Sequence, residues 1–293
     1  MNASYTIDAS GREQGDKGCR VPWWSFTKTL IAIASLRAAE LGVLTLDDPA
    51  APHGATLRQL LRHESGLPDY GSWPDYHKAV AAGGDPWLAA AVVNRGVAAQ
   101  TRSGDWRYSN IGYSIAREIL VNRTGRSLGE ALSELVFAPA GVQSASVAES
   151  SDDLLGLQGV TQGYHPGWVY HGLVVGELSD AARILRALLE GALLGPKSLD
   201  EMQALTVLSQ VQTAPWQEAA YGIGLMAPTV ADGSRLYGHT GGGPGSCIAV
   251  YGLLGPNGPV AVAAFSDQGA DVERCAVKRL GCVPARTSEI LRG

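Results

Sequence analysis

The sequence predicts an α+β fold in which helices flank an antiparallel sheet and a mostly helical segment is inserted into the sheet region. From about residue 221 onward, strand-like segments follow one another with short turns, which favours antiparallel pairing of neighbours. Residues 4–9 alternate in the manner of a further strand. Between residues 53 and 150, helix signals prevail. Strands from both ends of the chain are therefore expected to form one sheet.

Each element follows from a local signal. Apolar periodicity, capping residues, prolines at first helical positions and glycines at helix ends set the expected bounds. The predicted helices are 26–41, 57–61, 86–95, 108–122, one opened by a capping box at Ser127, 180–189, one opened by a capping box at Ser198, and 271–280. The predicted strands are 4–9, 221–226, 235–240, 246–253 and 260–266.

A change of character along the chain predicts two domains. A chain of 293 residues is long enough for one or two domains. We assign residues 1–52 and 173–293 to a discontinuous α/β sheet domain and residues 53–172 to a mostly helical domain. The active site is expected in the crevice between them.

Composition limits the classes of partner. The net charge is −5 without a basic run, which argues against nucleic acid or an anionic membrane. No apolar run reaches transmembrane length, and no signal peptide is apparent, so we expect a cytoplasmic protein. A trimmed, secreted mature form stays open as the alternative. The four cysteines lack metal-site spacing, and we expect no metal and no organic cofactor.

The helix that begins at Ser25 is the centre of the functional argument. Its first half is apolar on nearly all sides, which is typical of a helix buried in the core. Ser25 and Lys28 are the polar residues at its start, and a spacing of three places them on one face. A hydroxyl, an amine that burial can keep neutral and a helix N-terminus that favours negative charge are the parts of an activated serine nucleophile.

Two further motifs carry chemistry. Tyr108 and Asn110 lie where a loop enters a helix; the phenol can shuttle a proton and the amide can bind a substrate carbonyl and Lys28. His239, Thr240, Gly241 and Gly242 follow a predicted strand, whose glycines allow close approach of a substrate. The N–H of Gly242, paired with that of Ser25, is a candidate oxyanion hole, with His239 and Thr240 at the substrate's far end. Taken singly, each motif also fits an ordinary capping turn or hairpin.

The three motifs occur in the order S-x-x-K, Y-x-N and H-T-G. In that order they resemble the penicillin-recognising serine hydrolases: class C β-lactamases, D-Ala-D-Ala carboxypeptidases, D-aminopeptidases and related esterases. The stretches 60–70, 137–141 and 179–189 are also similar to this family. The resemblance implies a β-lactamase/transpeptidase-like fold. Two departures stand out: only 24 residues precede Ser25, so the sheet is expected to be a strand shorter, and His239 replaces the lysine found in many β-lactamases.

We therefore expect a serine hydrolase that cleaves an amide or ester bond of a D-amino-acid peptide, a β-lactam or a small carboxylic ester through an acyl-enzyme on Ser25. Lys28 and Tyr108 are the expected proton-transfer groups. A carboxylesterase or acyltransferase is the alternative on the same fold, and a non-catalytic β-lactam or peptidoglycan sensor is the alternative of another class. The expected partner is a small molecule or short peptide; the oligomeric state is not predicted.

Overall fold

The computed structural model of the protein describes residues 1–49, 53–210 and 214–285. Its strands are β1 Asn2–Ile7, β2 Glu13–Gly15, β3 Arg20–Pro22, β4 Ser146–Ala148, β5 Leu173–Glu177, β6 Thr206–Val207, β7 Ala220–Tyr221, β8 Leu236–Gly243, β9 Ser246–Gly255 and β10 Gly258–Ser266. Its α-helices are α1 Thr27–Glu40, α2 Leu57–Leu61, α3 Pro74–Ala81, α4 Ala89–Ala98, α5 Asn110–Thr124, α6 Leu128–Leu132, α7 Leu178–Leu189, α8 Pro196–Met202 and α9 Val272–Arg279.

The main sheet joins the two ends of the chain. Its five strands run in the order β2-β1-β10-β9-β8, and every neighbouring pair is antiparallel. The strand β1 pairs with β10, while β8, β9 and β10 are successive hairpin partners. The predicted α+β class is confirmed. The strand β8 is at the edge of this sheet, so β9 is hydrogen-bonded to only one of its two sides.

The helix α1 runs through the core, as its sequence predicts. Eleven of its fourteen residues are buried, which leaves it no solvent-facing stripe. A single 3₁₀ turn, Trp24–Phe26, precedes it, and Ser25 lies in that turn. The regular helix begins at Thr27, one residue later than the predicted range 26–41, and Gly42 ends it in a left-handed conformation.

The segment 53–172 contains α2 to α6 and one short strand. That strand, β4, pairs with β5, and β5 also pairs with β3 in a separate three-stranded sheet. This small sheet joins residues on both sides of the proposed domain boundary at 172/173. The division into two domains, and the expectation of a sheet one strand shorter, stay predictions.

Several predicted helix starts differ from the structure: α5 begins at Asn110 rather than Tyr108, α7 begins at Leu178 rather than residue 180, and the starts of α4 and α8 are also wrong. The helix α4 begins at Ala89 rather than near Asp85, since Trp87 packs edge-on against Trp168 and holds the preceding residues out of the helix. The helix α8 begins at Pro196 with Gly195 as its N-cap, so Ser198 lies inside it. By contrast, the capping boxes at Thr56 and Ser127 are present as written in the sequence.

In the part of the chain that the structure describes, none of the helices combines the length and the apolar character needed to cross a membrane.

Candidate active site

The structure brings the hydroxyl of Ser25, the amine of Lys28 and the phenol of Tyr108 together. Ser25 Oγ lies 3.0 Å from Lys28 Nζ and 3.0 Å from Tyr108 Oη. Ser25 and Lys28 share one face at the start of α1, as their spacing predicts, whereas Tyr108 arrives from a distant part of the chain. A hydroxyl flanked by two proton-transfer groups at hydrogen-bonding distance has the geometry of an activated nucleophile.

The turn that carries Ser25 is held on both sides. The backbone N–H of Trp23 donates to Val174 O at 2.8 Å, and Trp24 Nε1 donates to Ser246 Oγ at 3.1 Å. Trp24 is buried and has a φ of +44°, a conformation that L-residues rarely adopt. These contacts fix the backbone from which Ser25 projects.

Tyr108 is positioned by the loop that contains His63. The N–H of Arg107 donates to His63 O at 2.7 Å, and the N–H of Ser109 donates to His63 Nδ1 at 3.1 Å. The rings of His63 and Tyr108 lie 4.4 Å apart. Ser109 is the N-cap of α5, since its Oγ accepts from the N–H of Gly112. The stretch 60–70 therefore supports the phenol.

Lys28 is a fully buried amine. Burial lowers its pKa from 10.5 to about 7, and the negative charge of Asp69 opposes that effect. Its Nζ lies 5.1 Å from the centre of the Tyr108 ring and 5.6 Å from that of Tyr113. Near neutral pH, a substantial fraction of Lys28 is unprotonated and able to accept a proton.

Tyr108 differs from Lys28 in its protonation state. Burial raises the pKa of its phenol well above the usual value of 10. The phenol therefore keeps its proton near pH 7 and donates to Ser25 Oγ. Of the two neighbours of Ser25, Lys28 is the one able to act as base, and Tyr108 is a proton donor.

The amide of Asn110 does not lie within hydrogen-bonding distance of Lys28, which differs from the prediction. Asn110 is the first residue of α5, and its Nδ2 donates to Asp69 Oδ1 at 2.8 Å, as does its backbone N–H at 3.1 Å. The amide oxygen, Oδ1, is buried and has no hydrogen-bond partner among the described residues. Asn110 still lines the cavity beside Ser25.

The position predicted for Asn110 beside the lysine is held by His171. Its Nε2 lies 3.3 Å from Lys28 Nζ, and its ring is buried. His171 lines the cavity beside Ser25, whereas the Nδ1 of His165 accepts from the N–H of Gly167 in a local turn. No spacing in the sequence connects residues 28 and 171.

The glycines of β8 allow the strand to approach Ser25. A Cβ on Gly241 would lie 2.7 Å from both Ser25 N and Trp23 O, and one on Gly243 would lie 2.4 Å from the Trp24 ring. Side chains at these two positions are sterically excluded. Gly242 points the other way, where a Cβ would find ordinary contact at 3.7 Å.

The alternation of the strand also orients the Gly242 amide. Gly238 exchanges both backbone hydrogen bonds with Met226, on the side of β8 that faces away from β9. The register of β8 with β9 is continuous, so residues 240 and 242 direct their N–H groups to that same side. This orientation supports the predicted pairing of the Ser25 and Gly242 amides, which stays a proposal.

The side chains of His239 and Thr240 are not brought to the cavity, which differs from the expected contact with the substrate. His239 is fully buried; its Nε2 lies 3.2 Å from Tyr221 Oη, and its Nδ1 contacts Thr240 O. The Thr240 hydroxyl donates to Met226 Sδ. Burial lowers the pKa of His239 to about 3, so the ring is neutral. His239 stands behind Tyr108, with ring centres 6.5 Å apart.

A cavity of about 320 Å³ opens at Ser25. Its walls come from both ends of the chain and from the middle segment, and they are rich in aromatic rings. Its lining includes Trp24, Ser25, Tyr70, Tyr76, Asn110, Tyr164, His171 and Gly242. Among the described residues that line it, no Lys, Arg, Asp or Glu occurs. A second space of about 430 Å³, also without these residues, shares His77, Val80, Tyr164 and Pro244 with the first.

The chain is similar in sequence to known proteins. The family model described as Beta-lactamase matches residues 8–280. Penicillin-binding protein 4* of Bacillus subtilis is 32% identical over 135 residues, which cover 42% of this chain and 29% of that protein. A D-aminopeptidase of Cereibacter sphaeroides is 27% identical over 267 residues, covering 80% of this chain and 48% of the relative. The chain thus spans less than half the length of these curated relatives.

Solved structures share the fold. D-amino acid amidase from Ochrobactrum anthropi SV3 superposes with a TM-score of 0.76 at 23% identity, covering 92% of this chain and 89% of that one. An octameric penicillin-binding protein homologue from Pyrococcus abyssi gives a TM-score of 0.79 at 19% identity, covering 97% and 74% of the two chains.

Proposed function

The chain belongs to the beta-lactamase family, and from that premise we propose that it is a serine hydrolase that cleaves an amide or ester bond through an acyl-enzyme on Ser25. The observation that carries the proposal is the position of Ser25 Oγ, 3.0 Å from both Lys28 Nζ and Tyr108 Oη. The roles of the individual residues are part of the proposal.

In the first step, neutral Lys28 accepts the proton of Ser25, and Oγ attacks the substrate carbonyl. The N–H groups of Ser25 and Gly242 hold the oxyanion. As the tetrahedral intermediate collapses, the leaving group takes a proton from Tyr108, and the proton held by the Lys28 ammonium restores the phenol. Water then attacks the acyl carbonyl and gives one proton to neutral Lys28. When the second tetrahedral intermediate collapses, that proton passes to the departing Ser25 Oγ, and the carboxylic acid is released. The raised pKa of Tyr108 and the lowered pKa of Lys28 support this division into donor and base.

The lining of the cavity suits a substrate whose acyl group is small and uncharged. Its aromatic walls suit an apolar side chain, and its described lining offers no cation to a carboxylate and no carboxylate to an ammonium. His239, which replaces the lysine of many β-lactamases, is neutral and buried. The names of the D-aminopeptidase and D-amino acid amidase relatives support D-amino acid derivatives as the first substrates to test.

A matched substrate panel tests the proposal. It contains p-nitrophenyl butyrate, N-acetyl-D-phenylalanine amide, D-phenylalanine amide, the L-forms of both amides, and nitrocefin as a carboxylate-bearing β-lactam. We expect turnover of the uncharged substrates and a kcat/KM at least about tenfold lower for the charged ones, since a charge without a partner is disfavoured in this cavity. Added hydroxylamine measures acyl transfer against hydrolysis.

Two variants serve as controls for that panel. Ser25→Ala removes the nucleophile, and Tyr108→Phe keeps the ring on His63 but lacks the phenolic proton. We expect no turnover by the first and a kcat about 10² to 10⁴ lower for the second. Full activity of Ser25→Ala would overturn the proposal. A single burst without turnover on every substrate would instead support the sensor alternative.

A further inference from the structure

Few hydrogen-bond acceptors lie near Lys28 to stabilise the ammonium that forms when it accepts the Ser25 proton. Among the described residues, the polar atoms within hydrogen-bonding distance of Lys28 Nζ are Ser25 Oγ and His171 Nε2, the latter at 3.3 Å. In the same part of the chain, no carboxylate forms a salt bridge with Lys28. A buried ammonium without an acceptor is strongly disfavoured. A hydrogen-bond acceptor other than Ser25 Oγ therefore favours the proton transfer from Ser25 to Nζ.

His171 is held in place by the elements that surround it. It precedes β5, where Val174 N donates to Thr27 Oγ1 at 3.1 Å and Val174 O accepts from Trp23 at 2.8 Å. These bonds tie the beginning of β5 to the turn that carries Ser25. Gly172 follows with a φ of +97° in a turn closed by its N–H to Val169 O. The ring thus reaches Lys28 from a backbone fixed to the same turn.

Several groups influence the protonation of this pair. His63 and His239 lie near Lys28, and both carry a pKa lowered chiefly by burial, so both are neutral. The Tyr108 and Tyr113 rings face Nζ, and both phenols keep their protons because burial raises their pKa. The remaining charges are those of Asp69, which favours the Lys28 ammonium, and Arg117, which disfavours a charged His171. Burial holds the pKa of His171 well below its usual value, so its ring is neutral. In the tautomer that carries its proton on Nδ1, Nε2 is free to accept a hydrogen bond.

Resting on the proposed function, we infer that His171 is a positioning residue whose Nε2 accepts a hydrogen bond from the Lys28 ammonium formed when Ser25 loses its proton. The proton leaves Ser25 Oγ and is bound to Nζ, while another N–H of the same ammonium points to Nε2. No proton is consumed at His171, and no bond to the substrate is made there. The contact stabilises the charged lysine and keeps Nζ aligned with Ser25.

Two substitutions separate this role from simple packing. His171→Gln offers an amide oxygen within reach of Nζ, whereas His171→Leu fills the space without an acceptor. His53→Leu is the matched control, because His53 is also a buried histidine but lies outside the cleft, where its Nδ1 accepts from Ala55 N. The readouts are the rate of Ser25 labelling by a fluorophosphonate between pH 5 and 10 and the Lys28 pKa from ¹⁵Nζ NMR.

We expect the His171→Leu variant to label at least about tenfold more slowly at its plateau, and the Lys28 pKa to fall by about one unit or more, since hydrogen bonds to charged groups are among the stronger ones. His171→Gln should stay within about threefold of the natural protein, and His53→Leu should match it. A folded His171→Leu protein with an unchanged plateau and an unchanged Lys28 pKa would overturn the inference. Failure of the natural protein to label would overturn the proposed function instead, and the NMR titration would then decide the role of His171 alone.

Discussion

Lys28 shows how a catalytic requirement acts against stability at a single residue. The unfolded chain holds this amine with its ordinary pKa of 10.5, whereas burial lowers the pKa to about 7 in the folded protein. Between these two values the unfolded state binds more protons than the folded state. The buried Lys28 lowers the free energy of unfolding at pH 7 and below. This destabilisation decreases as the pH rises through the window.

Substitution of Lys28 by Met tests this account of the residue. The variant should lose covalent labelling and turnover, yet its free energy of unfolding at pH 7 should rise by about 1 to 3 kcal/mol, since the desolvation of the amine is removed. Urea denaturation at pH 7 and pH 10 measures the effect, and the gain should shrink at the higher pH. Lys78→Met, at an exposed position in α3, is the control and should change stability by less than about 0.5 kcal/mol. Destabilisation of the Lys28 variant at both pH values would contradict this account.

The sequence predicts residues at the site when they are close along the chain. Ser25 and Lys28 are one helical turn apart, so helix geometry alone brings them together. Tyr108 was predicted from motif order, and the structure places it at 3.0 Å from Ser25. His171 could not be predicted, because its contact with Lys28 depends on how β5 packs against the turn at residues 24–26. The placement of Asn110 on Asp69 depends likewise on a tertiary contact.

At the scale of the element, β8 and the 3₁₀ turn before α1 fit together because β8 has glycine at positions 241 and 243, where it meets the turn. A Cβ on Gly241 would displace the backbone that carries the Ser25 amide. Glycine at 241 is thus explained by the close approach of two backbones, and glycine at 243 by the close approach of the Trp24 ring, rather than by flexibility.

Gly241→Ala is the corresponding prediction. Labelling of Ser25 should fall by about a hundredfold or more, as observed when an oxyanion donor is lost, and stability should fall by about 1 to 3 kcal/mol from overpacking. Labelling kinetics and thermal unfolding measure both. Gly129→Ala is the control, since its Cβ would meet nothing closer than Val147 at 3.9 Å. Equal labelling of the two variants would show that the approach of β8 does not matter for the reaction.

Local capping boxes predicted the helix starts of α2 and α6, but not that of α8, in which Ser198 lies inside the helix. The capping boxes of α2 and α6 each require only residues three apart, and both are present. The start of α4 was not predictable, because the packing of Trp87 against Trp168 overrides the local signal at Asp85. The short connections between β8, β9 and β10 predict that these strands are neighbours in the sheet. For β1, the sequence predicts that an N-terminal strand joins the sheet but not that its partner is β10.

At the scale of the whole molecule, a partly exposed ion pair joins the first hairpin, β1–β2, to α7. Glu13 in β2 accepts from Arg183 Nε at 2.9 Å and Nη2 at 2.8 Å, and from Tyr5 Oη at 2.6 Å. The hydrogen bonds from Arg183 and Tyr5 lower the pKa of Glu13 from 4.5 to about 2. A carboxylate with a lowered pKa stabilises the fold above its unfolded value and ceases to do so as the pH falls through 4.5 towards 2.

Glu13→Gln should therefore lower the free energy of unfolding by about 1 kcal/mol at pH 7, a small value because the pair is partly exposed to solvent. The difference from the natural protein should shrink between pH 4.5 and 2. Urea titrations across this range measure it, with the exposed Glu149→Gln as control. A difference that is independent of pH would indicate that packing, and not charge, joins the hairpin to α7.

The most direct test of the account is mass spectrometry of the protein after reaction with a fluorophosphonate. We expect one adduct, on the peptide that contains Ser25, with a labelling rate that rises with pH and reaches half its maximum near pH 7, where Lys28 loses its proton. Ser25→Ala should carry none. An adduct that persists in Ser25→Ala, or that maps to another residue, would contradict the assignment of Ser25 as nucleophile.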